Sequence, residues 1–265
     1  MRIDEYLDFL FKGKKEEANQ IRFMTIPDKL VKFIWLDGSM TDEKKYITLK
    51  NDEIWFAHKN SLNDPYEYQG MLLDQHKLLE AGYTINIIEE YQKLFDLNEY
   101  GITCFSSNSV DYLPMWAYYT NNHKGFCIEY DVMKKDCIHE VLYEPERIKV
   151  ASLIFQSKEA VKHAIATGDT RKADFFTALF LQNLFIKAKA WEHEKEYRIV
   201  YPLDNNVGKN VPVHKLGIRT SRIVAGINCS DKDIERLNTI SNDLGLGNVY
   251  RSKIHKEKYT IDIVR

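Results

Sequence analysis

Two kinds of hydrophobic spacing follow one another along the chain and predict a mixture of helices and strands. Helical spacing, with apolar residues three or four positions apart, covers residues 3–22 and 230–242. Short apolar runs that end at turn residues predict strands. They lie at 30–35, 53–57, 101–106, 125–130, 139–143, 218–228 and 253–264. The pattern predicts an N-terminal helical lead-in over residues 1–25 and a single mixed α+β domain over 26–265.

Further helices are predicted at 42–49, 70–98, 112–120 and 150–190. The end of the last region is apolar on nearly every side. Its large apolar residues are Phe175, Phe176, Leu179, Phe180, Leu184 and Phe185. Such a helix must be enclosed by the core or covered by a partner. We expect enclosure, and the alternative is a face that binds a second copy of the chain or an inhibitor protein.

Residues 191–202 form the most informative segment, because it begins at the end of a predicted helical run and continues as a predicted strand that Pro202 ends. On a strand, Glu192, Glu194, Glu196 and Arg198 would line one face. Adjacent carboxylates repel one another and raise their pKa values unless a cation relieves them. Two interpretations stay open: a charged, solvated edge strand, or a strand end that presents acid to a substrate.

The amino-acid composition excludes few classes of function. The chain has 265 residues, 44% of them hydrophobic and 29% charged, with a net charge of −2. This balance gives no global attraction to nucleic acid or membrane. The sequence shows no CxxC pair, export signal or run of about 20 apolar residues. We therefore expect a cytoplasmic protein with reduced cysteines and no membrane partner.

Polar and aromatic residues at predicted strand ends and loops are the binding candidates. These are Lys32, Asn63, Asp64, Ser106, Tyr119 and His123, which we expect to converge with Glu196 in one pocket. Each of these candidates also has a purely structural interpretation. Residues 63–65 then form a turn that hydrogen-bonds to its own backbone, the aromatic run at 115–119 packs in the core, and His123 closes a loop. The histidines lack metal-ligand spacing, so no metal site is expected. Neither a nucleophile elbow nor a phosphate loop is present.

Three sequence clusters, at 63–67, 115–130 and 191–200, occur in this order together with Lys32-Phe33 and Cys104-Phe105-Ser106. The ordered set resembles a widespread bacterial family of unknown function that is frequent near phage-defence genes. The resemblance spans about residues 26–260. It implies a role in defence without fixing an activity.

The segment from Glu194 to Pro202 also resembles the catalytic strand of ADP-ribosyltransferases, in which an acidic motif begins a hydrophobic strand. That resemblance implies a split β core and NAD as substrate. It implies that Glu196 stabilises the oxocarbenium-like transition state, while Glu194 orients the acceptor. Lys32 stands where His or Arg is usual in that superfamily. Chemistry supports the role independently, since a fixed carboxylate opposes the positive charge that develops on ribose when an N-glycosidic bond breaks.

The leading hypothesis is thus an NAD-dependent, toxin-like intracellular effector that modifies a nucleic acid or a protein. A second hypothesis is a metal-dependent nuclease that uses Asp64, Glu67 and the glutamates at 192, 194 and 196 to hold a divalent cation. A third is a non-catalytic module that binds a ligand through its aromatic residues and a partner through the apolar helix.

Overall fold

The computed structural model describes residues 3–93, 97–150, 153–204 and 207–265 and confirms the predicted α+β class. The remaining residues fall within the predicted lead-in, the regions at 70–98 and 150–190, and the loop after Asp204. The helices are α1 (Ile3–Phe11), α2 (Lys15–Thr25), α3 (Thr41–Lys50), α4 (Gln75–Glu80), α5 (Ile85–Gln92), α6 (Leu113–Tyr119), α7 (Leu153–Thr167), α8 (Arg171–Leu181) and α9 (Asp231–Asp243).

The strands follow the predicted positions closely, with additions. They are β1 (Lys29–Ile34), β2 (Glu53–Ala57), β3 (Met71–Leu73), β4 (Tyr100–Ser106), β5 (Phe126–Val132), β6 (Ile138–Glu140), β7 (Leu142–Glu144), β8 (Ile148–Val150), β9 (Ile186–Ala188), β10 (Glu196–Pro202), β11 (Gly208–Pro212), β12 (Ile218–Ala225), β13 (Tyr250–Ile254) and β14 (Ile261–Val264). Short 3₁₀ helices cover Lys59–Ser61, Gln182–Phe185, Lys189–Glu194 and Val213–Leu216.

The main sheet has the order β11-β2-β4-β1-β5-β12-β13-β14, and it divides at β4. One edge of β4 pairs with β10 along its length, and β10 pairs with β6 on its other side. The opposite edge of β4 pairs with β1 at Ser106 and with β2 at Ile102. Strands β1 and β2 therefore diverge from β4, which gives the sheet a split.

Several predicted elements are interrupted where the sequence turns. The helix predicted over 3–22 is two helices, because Gly13 adopts a positive φ of 74° that ends the first one. The predicted strand at 253–264 is a hairpin of two strands. The strand predicted at 139–143 divides because β6 pairs with β10 whereas β7 pairs with β9.

Two predicted helical regions contain short strands instead. Strand β3 lies in the region predicted as helix at 70–98, and it pairs in parallel with β8. Strand β9 lies in the region predicted as helix at 150–190 and pairs in parallel with β7. A three-residue strand is too short to show an alternation of apolar and polar residues in the sequence. Such strands are identified only by their pairing with strands that are distant in sequence.

Strand β10 is buried, and the interpretation of residues 192–198 as a solvated edge strand is wrong. Glu196 through Ile199 are buried, since neighbouring strands cover both edges. The predicted row of glutamates is also wrong. The strand begins only at Glu196, whereas Glu192 lies in the preceding 3₁₀ helix and is exposed.

The apolar helix α8 packs against α1 and α7. Phe176 is buried, and the Phe175 ring lies 5.3 Å from the ring of Phe11 in an edge-to-face contact. Phe175, Leu179 and Phe180 are only half-buried, so the expected full enclosure is wrong for these side chains. Within the described residues, every helix is too short or too polar to cross a membrane.

Candidate functional site

A tight turn before β10 brings two acidic side chains together. The 3₁₀ helix Lys189–Glu194 ends at Lys195, whose left-handed backbone (φ 46°) leads directly into the strand. The turn is fixed by β4 and the residues after it. Ser106 Oγ donates to the Glu194 carbonyl at 2.6 Å, and Asn108 Nδ2 donates to the same oxygen at 3.1 Å. The glutamates at 194 and 196 are therefore held by backbone contacts that do not occupy their carboxylates.

Lys187 connects the two carboxylates. Its ammonium lies 2.6 Å from Glu194 Oε2 and 3.0 Å from Glu196 Oε2. The lysine comes from β9, the strand that the sequence pattern had placed inside a helix. Because all three side chains are buried, the ion pairs are shielded from water and strengthened by the low local dielectric.

Arg198 completes the group from the same face of β10 as Glu196. Its Nε donates to Glu196 Oε1 at 2.7 Å. Its two terminal nitrogens donate to the two carboxylate oxygens of Glu67, each at 2.8 Å. The guanidinium is fully buried, and its Nη1 also donates to the Leu184 carbonyl. We refer to Glu67, Lys187, Glu194, Glu196 and Arg198 as the buried charge cluster.

The buried charge cluster contains three carboxyl groups and two cations, so it cannot be neutral with every group ionised. Burial alone would raise the pKa of Glu196, but Arg198 and Lys187 outweigh it and hold that pKa well below its usual range. Burial raises the pKa of Glu194 despite the opposing effect of Lys187. Burial likewise raises the pKa of Glu67, against Arg198. The cluster thus contains one firmly ionised carboxylate beside two that retain a proton more readily.

A chain of polar side chains connects this cluster to the surface. The hydroxyl of Tyr119 donates a short hydrogen bond to Glu194 Oε1 and accepts one from Asn63 Nδ2 at 3.3 Å. Asn63 is exposed and Tyr119 is half-buried. On the other side, Tyr143 Oη accepts a hydrogen bond from the Glu196 backbone N–H at 2.8 Å. Tyr119 and Asn63 therefore connect Glu194 to the surface through hydrogen bonds.

Lys32, which was predicted to bind the cofactor, contacts a different part of the sheet. Its ammonium donates to Thr103 Oγ1 at 2.9 Å and to the Cys104 carbonyl at 3.1 Å. The residues of β4 that pair with Glu196 and Arg198 project from one face of the sheet. Thr103 is adjacent in sequence to one of them, so its side chain projects from the opposite face. Lys32 thus binds the edge of β4 where β1 and β2 diverge.

Asp64 and His123 also have local partners. Asp64 Oδ1 accepts a hydrogen bond from the Tyr66 N–H, which is the self-bonded turn considered for this segment. His123 has a left-handed backbone and its ring stacks parallel to Trp116, 6.1 Å between centroids. Burial lowers the pKa of His123. Of the six predicted binding residues, Asn63, Ser106 and Tyr119 connect to the turn that carries Glu194, whereas Lys32, Asp64 and His123 make their described contacts elsewhere.

Sequence reasoning overlooked Lys187 and Tyr143 and considered Glu67 only as a metal ligand. Lys187 shares the stretch at 184–190 with Lys189, and only Lys187 is buried, so the sequence did not distinguish the two lysines. Tyr143 carried no signal either, because it reaches the backbone of Glu196 from a three-residue strand.

The same residues bear on the hypothesis of a metal-dependent nuclease. In the parts of the chain that the structure describes, no three His, Cys, Asp or Glu side chains are arranged to hold a metal ion. The carboxylates of Glu67, Glu194 and Glu196 instead contact the ammonium of Lys187 or the guanidinium of Arg198. A divalent cation at this position would have to displace those cations.

Comparison with known proteins gives a match to a protein-family model. The model of a family described as a protein of unknown function (DUF2971) matches residues 115–199, from α6 through the first half of β10. The expected resemblance to a family of unknown function is confirmed over these residues. They include Tyr119, Lys187, Glu194, Glu196 and Arg198, but not Glu67. No curated protein and no solved structure matches the chain.

Proposed function

We propose that the buried charge cluster is the catalytic centre of an ADP-ribosyltransferase-like enzyme that uses NAD as substrate. One observation carries the proposal. Glu194 and Glu196 bind the same ammonium, yet their pKa values are displaced in opposite directions. Two carboxyl groups with separated pKa values are typical of a site that needs one permanent negative charge and one proton carrier.

The two carboxyl groups suit the two halves of a transfer reaction. When the bond between ribose and nicotinamide breaks, its electrons leave with nicotinamide and the ribose becomes positively charged. The ionised Glu196, whose oxygens also accept from Lys187 and Arg198, opposes that charge in a site that excludes water, and the ribose must displace one of these contacts to approach it. The acceptor then attacks the ribose and releases a proton. Glu194, with its raised pKa and its link through Tyr119 to the surface, is suited to take it.

The residues fit the ribose end of NAD better than its phosphates. Carboxylates and a tyrosine hydroxyl are appropriate partners for a developing ribosyl cation and its hydroxyl groups. Phosphates require cations or N–H donors, and both Lys187 and Arg198 already bind carboxylates. Lys195 lies on the turn between Glu194 and Glu196 and is exposed, so its ammonium remains accessible to a phosphate. The role in phage defence that the family resemblance implies stays a prediction.

The test is incubation of the purified protein with labelled NAD and separate DNA, RNA and protein acceptors. We expect nicotinamide release and transfer of label to one class of acceptor, without any requirement for a divalent cation. Cleavage of nucleic acid that depends on a divalent cation, without consumption of NAD, would replace the proposal by the nuclease hypothesis. Binding without either reaction would favour the non-catalytic module.

A further inference from the structure

The turn that carries Glu194 contains a residue in an unfavourable backbone conformation. Lys195 has a φ of 46° and a ψ of 55°, which lie in the left-handed region. Residues with a long side chain rarely adopt this region, because the Cβ atom crowds the following carbonyl oxygen. The Lys195 side chain is exposed, so its burial does not compensate for the conformation. The compensation must come from contacts of the backbone.

Two buried side chains at the end of β4 supply most of these contacts. Asn108 Nδ2 donates to the His193 carbonyl at 2.8 Å and to the Glu194 carbonyl at 3.1 Å. Ser106 Oγ donates to the same Glu194 carbonyl at 2.6 Å. The Asn108 backbone N–H donates to Ser106 Oγ at 3.0 Å, which leaves the hydroxyl hydrogen free to point at Glu194.

The residue between them binds the next carbonyl of the turn. The Ser107 backbone N–H donates to the Lys195 carbonyl at 3.0 Å, and the Ser107 hydroxyl donates to the same oxygen at 3.3 Å. Three consecutive residues thus bind three consecutive carbonyls, at 193, 194 and 195. We refer to Ser106, Ser107 and Asn108 as the carbonyl clamp.

The backbone of residues 193–195 decides where the Glu194 side chain lies. With its carbonyl bound by the clamp, Glu194 directs its carboxyl group to the Lys187 ammonium, 2.6 Å away, and to the Tyr119 hydroxyl. An extended Lys195 would instead continue strand β10 back to residue 194, at about 3.3 Å per residue. The carbonyls would then leave the clamp, and the Glu194 carboxyl group would leave Lys187.

We propose that the carbonyl clamp is a positioning device, which holds Lys195 in the left-handed conformation and thereby keeps the Glu194 carboxyl group beside Lys187. Ser106 and Asn108 are positioning residues in this account, because they bind the Glu194 backbone and act on its carboxyl group only through the turn. The benefit of this arrangement for catalysis rests on the proposed function. The positioning itself does not, and it can be measured without a substrate.

Carboxyl ¹³C NMR of the full chain with labelled glutamate measures the effect. Burial is the largest cause of the raised pKa of Glu194, so a loosened turn that admits water should lower that pKa toward its usual range. We expect this result for Asn108→Ala. Glu67 serves as the internal control, because burial raises its pKa too while its carboxylate binds Arg198 rather than the turn. Glu194→Gln and Glu67→Gln assign the two signals.

Substitutions at the exposed position 195 test the backbone conformation without altering the clamp. Glycine adopts a positive φ without crowding, whereas a β-branched residue is strongly disfavoured there. Lys195→Val should therefore lower the pKa of Glu194, and Lys195→Gly should not, although both remove the same charge. In the Asn108→Ala background, Lys195→Gly should restore the Glu194 titration and Lys195→Ala should not.

Three results would overturn the proposal. One is a Glu194 titration that Asn108→Ala leaves unchanged. Another is an equal shift of Glu194 and Glu67 in that variant, which would indicate a general loosening of the protein. The third is identical titrations for Lys195→Val and Lys195→Gly, which would also settle the question if Asn108→Ala did not fold.

Failure of the proposed reaction would be a separate result, because these titrations need no NAD. If the wild type releases nicotinamide, Asn108→Ala should lower kcat by at least about tenfold and leave KM near the wild-type value, since the asparagine displaces a reacting group without binding NAD. If the wild type releases none while the titrations behave as expected, the clamp positions Glu194 for a different function.

Discussion

Arg198 and Glu67 form a two-pronged ion pair across 131 positions of sequence, with both nitrogen-to-oxygen distances at 2.8 Å. Both side chains are buried, and the guanidinium is completely so. The pair connects the turn at 64–68 to strand β10. Each of the two buried side chains supplies a charge opposite to that of the other. The geometry of the buried charge cluster therefore depends on this ion pair.

Removal of Glu67 should therefore lower stability strongly. We expect Glu67→Ala to reduce the free energy of unfolding by about 1–3 kcal/mol, since two buried nitrogens of Arg198 would lose their acceptors while Glu196 still pairs with the guanidinium. Urea unfolding followed by circular dichroism measures the loss. The matched control is Glu90→Ala, whose glutamate binds Lys93 at 2.6 Å on the surface and should cost about 0–1 kcal/mol. Equal losses for the two variants would show that the buried pair contributes no more than an exposed one.

His139 should make the protein sensitive to acid. Its ring stacks on Phe185, 4.3 Å between centroids, and burial, assisted by Arg22, lowers its pKa to about 3. Histidine in an unfolded chain titrates near pH 6.5, so between these values the unfolded state binds the additional proton. Stability from this residue is complete above about pH 6.5 and decreases by up to about 1.4 kcal/mol per pH unit below it.

The check is urea unfolding of the wild type and of His139→Gln at several pH values between 7 and 5. The variant should lose less stability than the wild type over this range. His76→Gln, at an exposed position, serves as the control and should retain the wild-type slope. If the wild type and His139→Gln lose stability in parallel, His139 does not carry the effect.

Tyr119 should regulate the proton on Glu194. Its hydroxyl donates to the carboxylate, which favours the ionised form. Tyr119→Phe removes that donor, so the pKa of Glu194 should rise further. Carboxyl ¹³C NMR of labelled glutamate, assigned with Glu194→Gln, measures the shift. Tyr118→Phe alters the exposed neighbouring tyrosine and should leave the Glu194 titration as it is. A titration that Tyr119→Phe leaves unchanged would contradict the assigned hydrogen bond.

Much of the fold could be predicted because its elements carry local signals. Short apolar runs at 53–57 and 101–106 identified β2 and β4, and the helical spacing at 230–242 identified α9, where Ser230 Oγ accepts from the Asp233 N–H at 3.1 Å. Gly125 was expected only as part of a motif. The structure explains it, since a Cβ there would lie 2.0 Å from the Ile34 carbonyl oxygen.

The candidate site was less predictable because its partners are distant in sequence. Alternation placed Glu194 and Glu196 on one strand face, but the left-handed Lys195 brings them together by a turn instead. Neither the burial of Lys187 nor its partners could be identified, because the exposed Lys189 lies in the same run. The pairing of Glu67 with Arg198 needs the fold itself, because no local pattern specifies a contact over that separation.

Nicotinamide release from NAD by the wild type, Glu196→Gln and Glu192→Gln tests the central claim most directly. Glu196→Gln keeps the side-chain shape and leaves two carboxyl groups for two cations, so we expect it to fold. Its release rate should be about 10²–10³-fold below that of the wild type. Glu192→Gln removes an exposed carboxylate from the same segment and should release nicotinamide at the wild-type rate. Equal rates for folded Glu196→Gln and the wild type, or no release by the wild type with any acceptor, would contradict the account.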